Sequence, residues 1–159
     1  ECGTDVRSFP RAEVGQMIRE NVVRWRSALA QPEVARRPAH DVWSALEYGC
    51  HVRDVYRLYT ERLRMMLETD DPAYPNWDQD AAAIEQNYPE QEPNRVAEDL
   101  AVAGEGLASL FDSVEGSQWD RTGTRSDGAR FTVESFARYL IHDPIHHIWD
   151  VEQGFERLS

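Results

Sequence analysis

The chain of 159 residues has the length of one domain, and its 41% hydrophobic content is typical of a folded protein. Its 29 acidic and 17 basic residues give a formal net charge of −12, so its surface should repel phosphate backbones and anionic lipids. We therefore expect neither nucleic acid nor a membrane as a partner. Without a membrane-length apolar run or a signal-peptide pattern, we expect one cytoplasmic domain over residues 1–159.

Two features of the composition bear on the source and the redox state. All 17 basic residues are arginine and none is lysine, a bias that folding does not require and that indicates a GC-rich genome. The two cysteines, Cys2 and Cys50, are too few for a disulfide framework. We expect Cys50 to be a packed core thiol and not a nucleophile.

Apolar residues that recur every three or four positions predict two helices in the first part of the chain. The first spans about residues 10–30 and ends before Pro32, and the second spans about residues 42–68. One stripe of the second helix is apolar and belongs to a core. The neighbouring stripe places an aromatic ring, two carboxylates and an imidazole on one face: Trp43, Glu47, His51 and Asp54.

Residues 69–92 connect this helix to the next and contain three prolines and many acidic residues. No long helix is expected there, although about residues 80–88 could form a short one. A connection of this length is unusual within a compact domain. It has a simple use as a crossover that lets the second and third long helices run parallel.

Two further helices complete the predicted fold. The third spans about residues 93–114, and residues 119–132 form a loop or a very small hairpin around the turn dipeptide Asp127-Gly128. The fourth spans about residues 132–154 and should be kinked by Pro144, which lacks an N–H for the preceding turn. The expected fold class is all-α: a four-helix bundle with a long crossover between the second and third helices.

The fourth helix carries three of the five histidines, and the spacing of His142 and His146 places both imidazoles on one helix face. Two imidazoles leave a tetrahedral metal half coordinated. His51 lies at a comparable depth on the second helix and is the expected third ligand. A three-histidine site with an open position is a usual arrangement for a catalytic divalent metal.

Other readings of these residues stay open. The histidines could lie in a metal-free core. His147 should face away from the pair or support it, and Asp143 is expected to face solvent. Glu47 precedes His51 by one helical turn, so it could orient a ligand, act as an acid or base, or belong to a surface patch.

The motifs on these two helices resemble those of the DinB-like metal-binding bundles. The pattern W-x-x-x-E-x-x-x-H is formed by Trp43, Glu47 and His51, and H-x-x-x-H by His142 and His146. The resemblance covers nearly the whole chain. Members of this family include bacillithiol and mycothiol S-transferases and the metal domain of mycothiol-dependent maleylpyruvate isomerase. One departure is that the His146-His147 pair follows His142 by four residues, with Pro144 between, where the family pattern has three.

The resemblance implies a zinc, nickel or similar divalent ion bound by His51, His142 and His146, with Glu47 as the supporting catalytic acid or base, in a homodimer. It also implies an S-transferase that activates a low-molecular-weight thiol to attack a small electrophile. Mycothiol is the thiol expected for a GC-rich genome. The alternative is a non-catalytic metal-binding or ligand-binding bundle with a structural metal.

Overall fold

The computed structural model describes residues 9–159, so Cys2 lies outside the described part of the chain. Within these residues the structure has the four predicted long helices, a short helix near the one allowed at about residues 80–88, and a small three-stranded sheet that the all-α fold class did not include. Three 3₁₀ turns occur at Arg11–Glu13, Tyr88–Glu90 and Gly116–Asp120. In chain order the elements are α1 (Val14–Leu29), α2 (Ala45–Glu68), β1 (Ala73–Tyr74), α3 (Gln79–Glu85), α4 (Pro93–Asp112), β2 (Thr122–Arg125), β3 (Arg130–Thr132) and α5 (Val133–Leu158).

Capping boxes fix the starts of the two helices that carry the histidines. At α2 the Ser44 hydroxyl accepts a hydrogen bond from the Glu47 backbone N–H, and the Glu47 carboxylate accepts one from the Ser44 N–H at 2.8 Å. Thr132 and Ser135 form the same reciprocal pair at the start of α5. Helix α5 then continues through Pro144 to Leu158 without an interruption.

Close contacts set the directions of the helices in the bundle. Leu29 at the end of α1 lies against Gly49 near the start of α2, where an added Cβ would come within 2.7 Å of it. Earlier on α1, Asn21 accepts a hydrogen bond from Tyr56, which lies later on α2. Against α4, Val22 lies at Gly104 and the earlier Gly15 lies at the later Ala108. Helix α1 is therefore antiparallel to both α2 and α4. Buried aromatic and aliphatic side chains of all four long helices form one hydrophobic cluster, which includes Trp25, Tyr56, Leu100 and Phe136.

The contact between α1 and α4 explains why α4 contains Gly104, although glycine has a low helix propensity. A Cβ on Gly104 would lie 2.4 Å from Val22 Cγ2 and 3.3 Å from a ring carbon of Tyr56. The two helices can approach this closely only because position 104 has no side chain, so packing outweighs the low helix propensity of glycine.

The connection between α2 and α4 is ordered by the sheet and by polar contacts to α2. Strand β1 pairs in parallel with β2, and β2 pairs antiparallel with β3. Buried Arg53 of α2 donates hydrogen bonds to the side chains of Gln86 and Gln91, at 3.1 and 2.6 Å. Buried Tyr88 donates a hydrogen bond to Asp54. These contacts hold the connection against the polar face of α2.

The sheet joins two connections of the bundle. Strand β1 lies in the connection between α2 and α4, and β2 and β3 lie in the connection between α4 and α5. Among the described helices, none has both the length and the apolar character that a membrane span requires.

Candidate metal centre

His51 lies in the second turn of α2 and is 1% exposed. The Trp77 ring from the connection stacks on its imidazole, with ring centres 5.5 Å apart and planes 12° from parallel. Trp43 contacts the same imidazole at 5.7 Å. Neither ring nitrogen of His51 has a hydrogen-bond partner among the described residues. His51 is therefore a buried imidazole held by aromatic rings with both nitrogens unsatisfied.

Helix α5 places Asp143 and His147 opposite His51. One ligand atom from each of the three residues can be chosen so that all lie within 4.8 Å of one another. The Asp143 carboxylate lies 3.4 Å from His51 Nε2 and 3.2 Å from His147 Nε2. The two imidazoles meet edge to face, with centres 4.9 Å apart. Two imidazoles and one carboxylate thus converge at the α2–α5 contact.

The antiparallel packing of α2 and α5 produces this register. Tyr59 of α2 stacks on Phe136 near the start of α5, with ring centres 4.6 Å apart. Further along, Tyr48 lies 5.0 Å from the His147 ring. Residues four apart on α5 share a face, so the face that Phe136 directs at α2 also carries Asp143 and His147.

The structure does not bring His142 and His146 to His51. His142 is exposed, and the His146 side chain is 41% exposed against 17% for His147. The His142 and His146 rings stack on each other at 5.7 Å, and His146 also stacks on Trp149. Successive residues differ by about 100° around a helix, so positions 142 and 146 turn away from α2. Of the three expected ligands, only His51 is in the observed group.

Asp143 and His147 are the site residues that the sequence reasoning missed. Asp143 was expected to face solvent, and its side chain is 41% exposed, but its carboxylate contacts both imidazoles and lines the adjoining cavity. The signal that identifies the pair is the buried stripe of α5. Phe136, Leu140 and Val151 are buried, and positions 143 and 147 continue their three- and four-residue spacing.

Asp143 and His147 stabilise each other's charged forms. Burial raises the pKa of Asp143, but the adjacent imidazoles of His147 and His51 outweigh it, so the net pKa lies well below the ordinary value. Burial lowers the pKa of His147, and the adjacent Asp143 carboxylate outweighs this effect and raises the net pKa. A carboxylate that stays ionised is the form that binds a cation.

The donor set fits a divalent metal ion. In addition to both nitrogens of His51, His147 Nδ1 is buried without a hydrogen-bond partner in the described structure. An unsatisfied buried polar atom costs about 1–3 kcal/mol, and a cation bound by these imidazoles would remove part of that cost. One Asp150 oxygen lies 3.6 Å from His147 Nδ1 and 3.4 Å from His146 Nε2, so this carboxylate could support either ring.

A cavity of about 260 Å³ adjoins the cluster. Its walls include apolar and aromatic side chains, amides and two arginines: His51, Val55, Leu58, Tyr59, Arg62, Asn76, Trp77, Gln79, Arg125, Tyr139 and Asp143. Because two of the three clustered ligands line this space, a small molecule in the cavity would contact the centre directly.

Glu47 has a different environment from the one expected of a catalytic residue. Its buried carboxylate accepts hydrogen bonds from the Arg37 guanidinium and from the Ser44 N–H of the capping box. Burial raises its pKa, but these donors outweigh burial and lower the net value. The structure thus gives Glu47 a role at the helix start, and the clustered ligands do not include it.

Cys50 is a buried free thiol. Burial raises its pKa to about 12, so it stays protonated at neutral pH and does not act as a nucleophile.

Comparison with known proteins agrees with the motif resemblance. The family model of the DinB superfamily matches residues 16–151. The fold is similar to that of a solved structure described as YfiT from Bacillus subtilis, a probable metal-dependent hydrolase with an unusual four-helix bundle topology. The TM-score is 0.79 at 16% sequence identity, over 92% of this chain and 87% of that one. This similarity shows the bundle fold. A search of curated proteins found no match.

Proposed function

The chain belongs to the DinB superfamily, and we propose that it is a metal-dependent enzyme acting on small molecules. The divalent ion would be held by His51, Asp143 and His147. The observation that carries this proposal is the convergence of three ligand atoms within 4.8 Å at a site with unsatisfied buried imidazole nitrogens.

This ligand set replaces the three-histidine set expected from the sequence. Two imidazoles and one carboxylate occur in catalytic zinc sites, and the same set with open positions occurs in non-haem iron sites. Zinc or nickel remains the expected ion. Three protein ligands leave a position for substrate, and the adjoining cavity favours a catalytic centre over a closed structural site.

The proposed reaction is transfer of a low-molecular-weight thiol, of the mycothiol type, to a small electrophile. A bound divalent ion supplies Lewis-acid chemistry that lowers the pKa of a coordinating thiol or water. The thiol loses its proton, its sulfur forms a bond to an electrophilic carbon, and the leaving group departs with the bonding electrons. Trp77, Tyr59 and Leu58 supply an apolar part of the cavity wall, against which a small electrophile could pack.

Hydrolysis is the second candidate reaction. The similar fold of YfiT, described as a probable metal-dependent hydrolase, favours it, as does the mixed imidazole and carboxylate set, which zinc hydrolases use. In this reaction water replaces the thiol. The non-catalytic alternative, a structural metal, predicts a centre that small thiols do not reach.

The proposal includes the crossover between α2 and α4. It is supported by α1, which packs antiparallel to both of these helices, so that α2 and α4 share a direction. The crossover has a use in the site because it carries Trp77 onto His51. The cytoplasmic location, the homodimer, the exclusion of nucleic acid and membrane partners, and a catalytic role for Glu47 stay predictions.

The test combines metal analysis with two assays on the same protein. The purified chain, without a histidine tag, is loaded with zinc or nickel and incubated with a thiol panel and an alkylating electrophile, or with ester and amide substrates alone. Product that requires both metal and thiol supports the transferase, and product without thiol supports the hydrolase. Metal binding without turnover in either assay would contradict an enzymatic role and leave the structural metal.

A further inference from the structure

Arg62 is a buried cation at the cavity that adjoins the metal centre. It follows His51 by eleven residues on α2, which is about three helical turns, so the two side chains leave nearly the same face. Arg62 is 5% exposed and lines the same cavity as His51 and Asp143. The shared cavity, and not a direct contact, connects the guanidinium to the metal centre.

The partners of Arg62 are neutral. Its Nη2 donates a 2.7 Å hydrogen bond to the Pro75 carbonyl oxygen. The guanidinium lies over the rings of Tyr74 and Tyr59, at 4.6 and 5.5 Å from their centres. Within residues 9–159, no carboxylate forms an ion pair with it, and the largest influences on its pKa are burial, the two tyrosines and Arg125.

Arg53, nine residues earlier on α2, shows the contrast. It is equally buried, but its Nε lies 3.0 Å from the Asp54 carboxylate, and glutamine side chains accept its other hydrogen bonds. Arg53 therefore has a structural role that fully accounts for its charge. The buried charge of Arg62 has no such compensation.

A second arginine of the cavity differs from Arg62 because a carboxylate compensates its charge. Arg125 on β2 lines the same space and is paired with Asp127 at 2.8 and 2.9 Å. Burial lowers the pKa of Arg62, but a guanidinium stays protonated at neutral pH. Asp127 neutralises Arg125, so the charge of Arg62 is the one that lacks a carboxylate partner among the described arginines of this cavity.

We propose that the substrate carries a carboxylate that binds Arg62 while its reacting group lies at the centre formed by His51, Asp143 and His147. This inference rests on the proposed function and names the substrate class of the same site. Arginine presents a planar fork of N–H donors that matches a carboxylate. The amides of Asn76 and Gln79 line the cavity as further donors. Removing a buried charge from water is costly without a partner, and a bound carboxylate would offset that cost.

The test uses a pair of probes that differ only in charge. The full chain is loaded with cobalt, and thiol binding is followed by the sulfur-to-metal absorption band with 6-mercaptohexanoate and with 6-mercaptohexanamide. The wild type should bind the carboxylate about tenfold more tightly, as one charge-assisted hydrogen bond implies. Arg62→Gln should remove this preference and leave the affinity for the amide unchanged, and Arg130→Gln, an exposed control outside the cavity, should keep it.

The design separates the two proposals. Equal binding of both probes by the cobalt-loaded wild type, or an undiminished preference in folded Arg62→Gln, would overturn the role of Arg62 and leave the metal centre intact. Calorimetry on the metal-free wild type with hexanoate and hexanamide gives an independent measure that needs no variant. If the chain fails to take up cobalt but still prefers hexanoate in this calorimetry, the carboxylate site is supported and the proposed metal-dependent function is overturned.

Discussion

Helix α5 carries two pairs of potential metal ligands, and the members of each pair are four residues apart. The pair Asp143 and His147 faces α2, and the pair His142 and His146 does not. The inner face contains Phe136, Leu140, Asp143, His147 and Val151, and the outer face contains Ser135, Tyr139, His142, His146 and Trp149. The spacing on the two faces is the same. The difference shows that burial of the stripe, and not the spacing of the histidines, determines which pair lies next to His51.

The largest expected effect comes from the imidazole on α2 that faces α5. His51→Ala removes the most buried of the three ligands and should lower zinc affinity by more than about 100-fold, above the range seen for residues that only support a ligand. Competition with a chromophoric chelator measures this affinity. His40→Ala is the matched control, because the His40 side chain is almost fully exposed. Equal affinity of His51→Ala and wild type would contradict the site.

A smaller effect is expected from the ring that fixes His51. Trp77→Ala removes the stacked indole and should lower zinc affinity by roughly 10-fold, because the imidazole regains freedom that binding must remove. The control Trp149→Ala removes a ring that stacks on His146 of the outer face. An equal loss of zinc affinity in Trp77→Ala and Trp149→Ala would contradict the assignment of the metal to the inner face of α5.

Asp150 tests whether the inner face continues beyond the ligands. Asp150→Asn should lower zinc affinity by about 10-fold, since its carboxylate lies near His147 Nδ1 and can support that ring. Glu156→Gln, an exposed acid on the same helix, should change it by less than about twofold. Titrations at high salt separate orientation from a general loss of negative charge, which salt screens.

Glu47 should affect stability and leave metal affinity nearly unchanged. Glu47→Gln weakens the capping box and the Arg37 pair, and we expect a loss of about 1–2 kcal/mol in the free energy of unfolding at pH 7. Because the folded-state pKa of Glu47 is lowered, its contribution is present above the unfolded pKa and disappears as pH falls through the folded value.

Urea unfolding of the wild type and Glu47→Gln at pH 7 and at pH 3 measures this contribution. The difference between the two proteins should narrow at the lower pH. A loss of zinc affinity in Glu47→Gln, without a loss of stability, would instead support the catalytic role expected from the sequence.

The helices were predictable because their cores repeat every three or four residues, and the resulting contacts bury one continuous cluster. The three-stranded sheet was not predictable, because its strands have only two to four residues and no alternating pattern of apolar and polar residues. The Asp127-Gly128 dipeptide did indicate the β2–β3 turn, where Gly128 has a φ of 90°.

The site was half predictable for a similar reason. His51 was identified because its neighbours on α2 form a recognisable polar stripe. On α5 the histidines were paired by spacing alone, and an aspartate was assigned to solvent because carboxylates are mostly exposed. Extending the stripe of Phe136 and Leu140 would have selected Asp143 and His147, but the sequence does not show which stripe faces α2.

The most direct test compares the two adjacent histidines of α5. Zinc content and affinity are measured for His147→Ala and His146→Ala, which lie next to each other in sequence on different faces of one helix. We predict that His147→Ala loses zinc by at least about 100-fold in affinity while His146→Ala stays within about twofold of the wild type. Loss of zinc from His146→Ala with retention by His147→Ala would contradict the assignment and restore the pair selected by spacing.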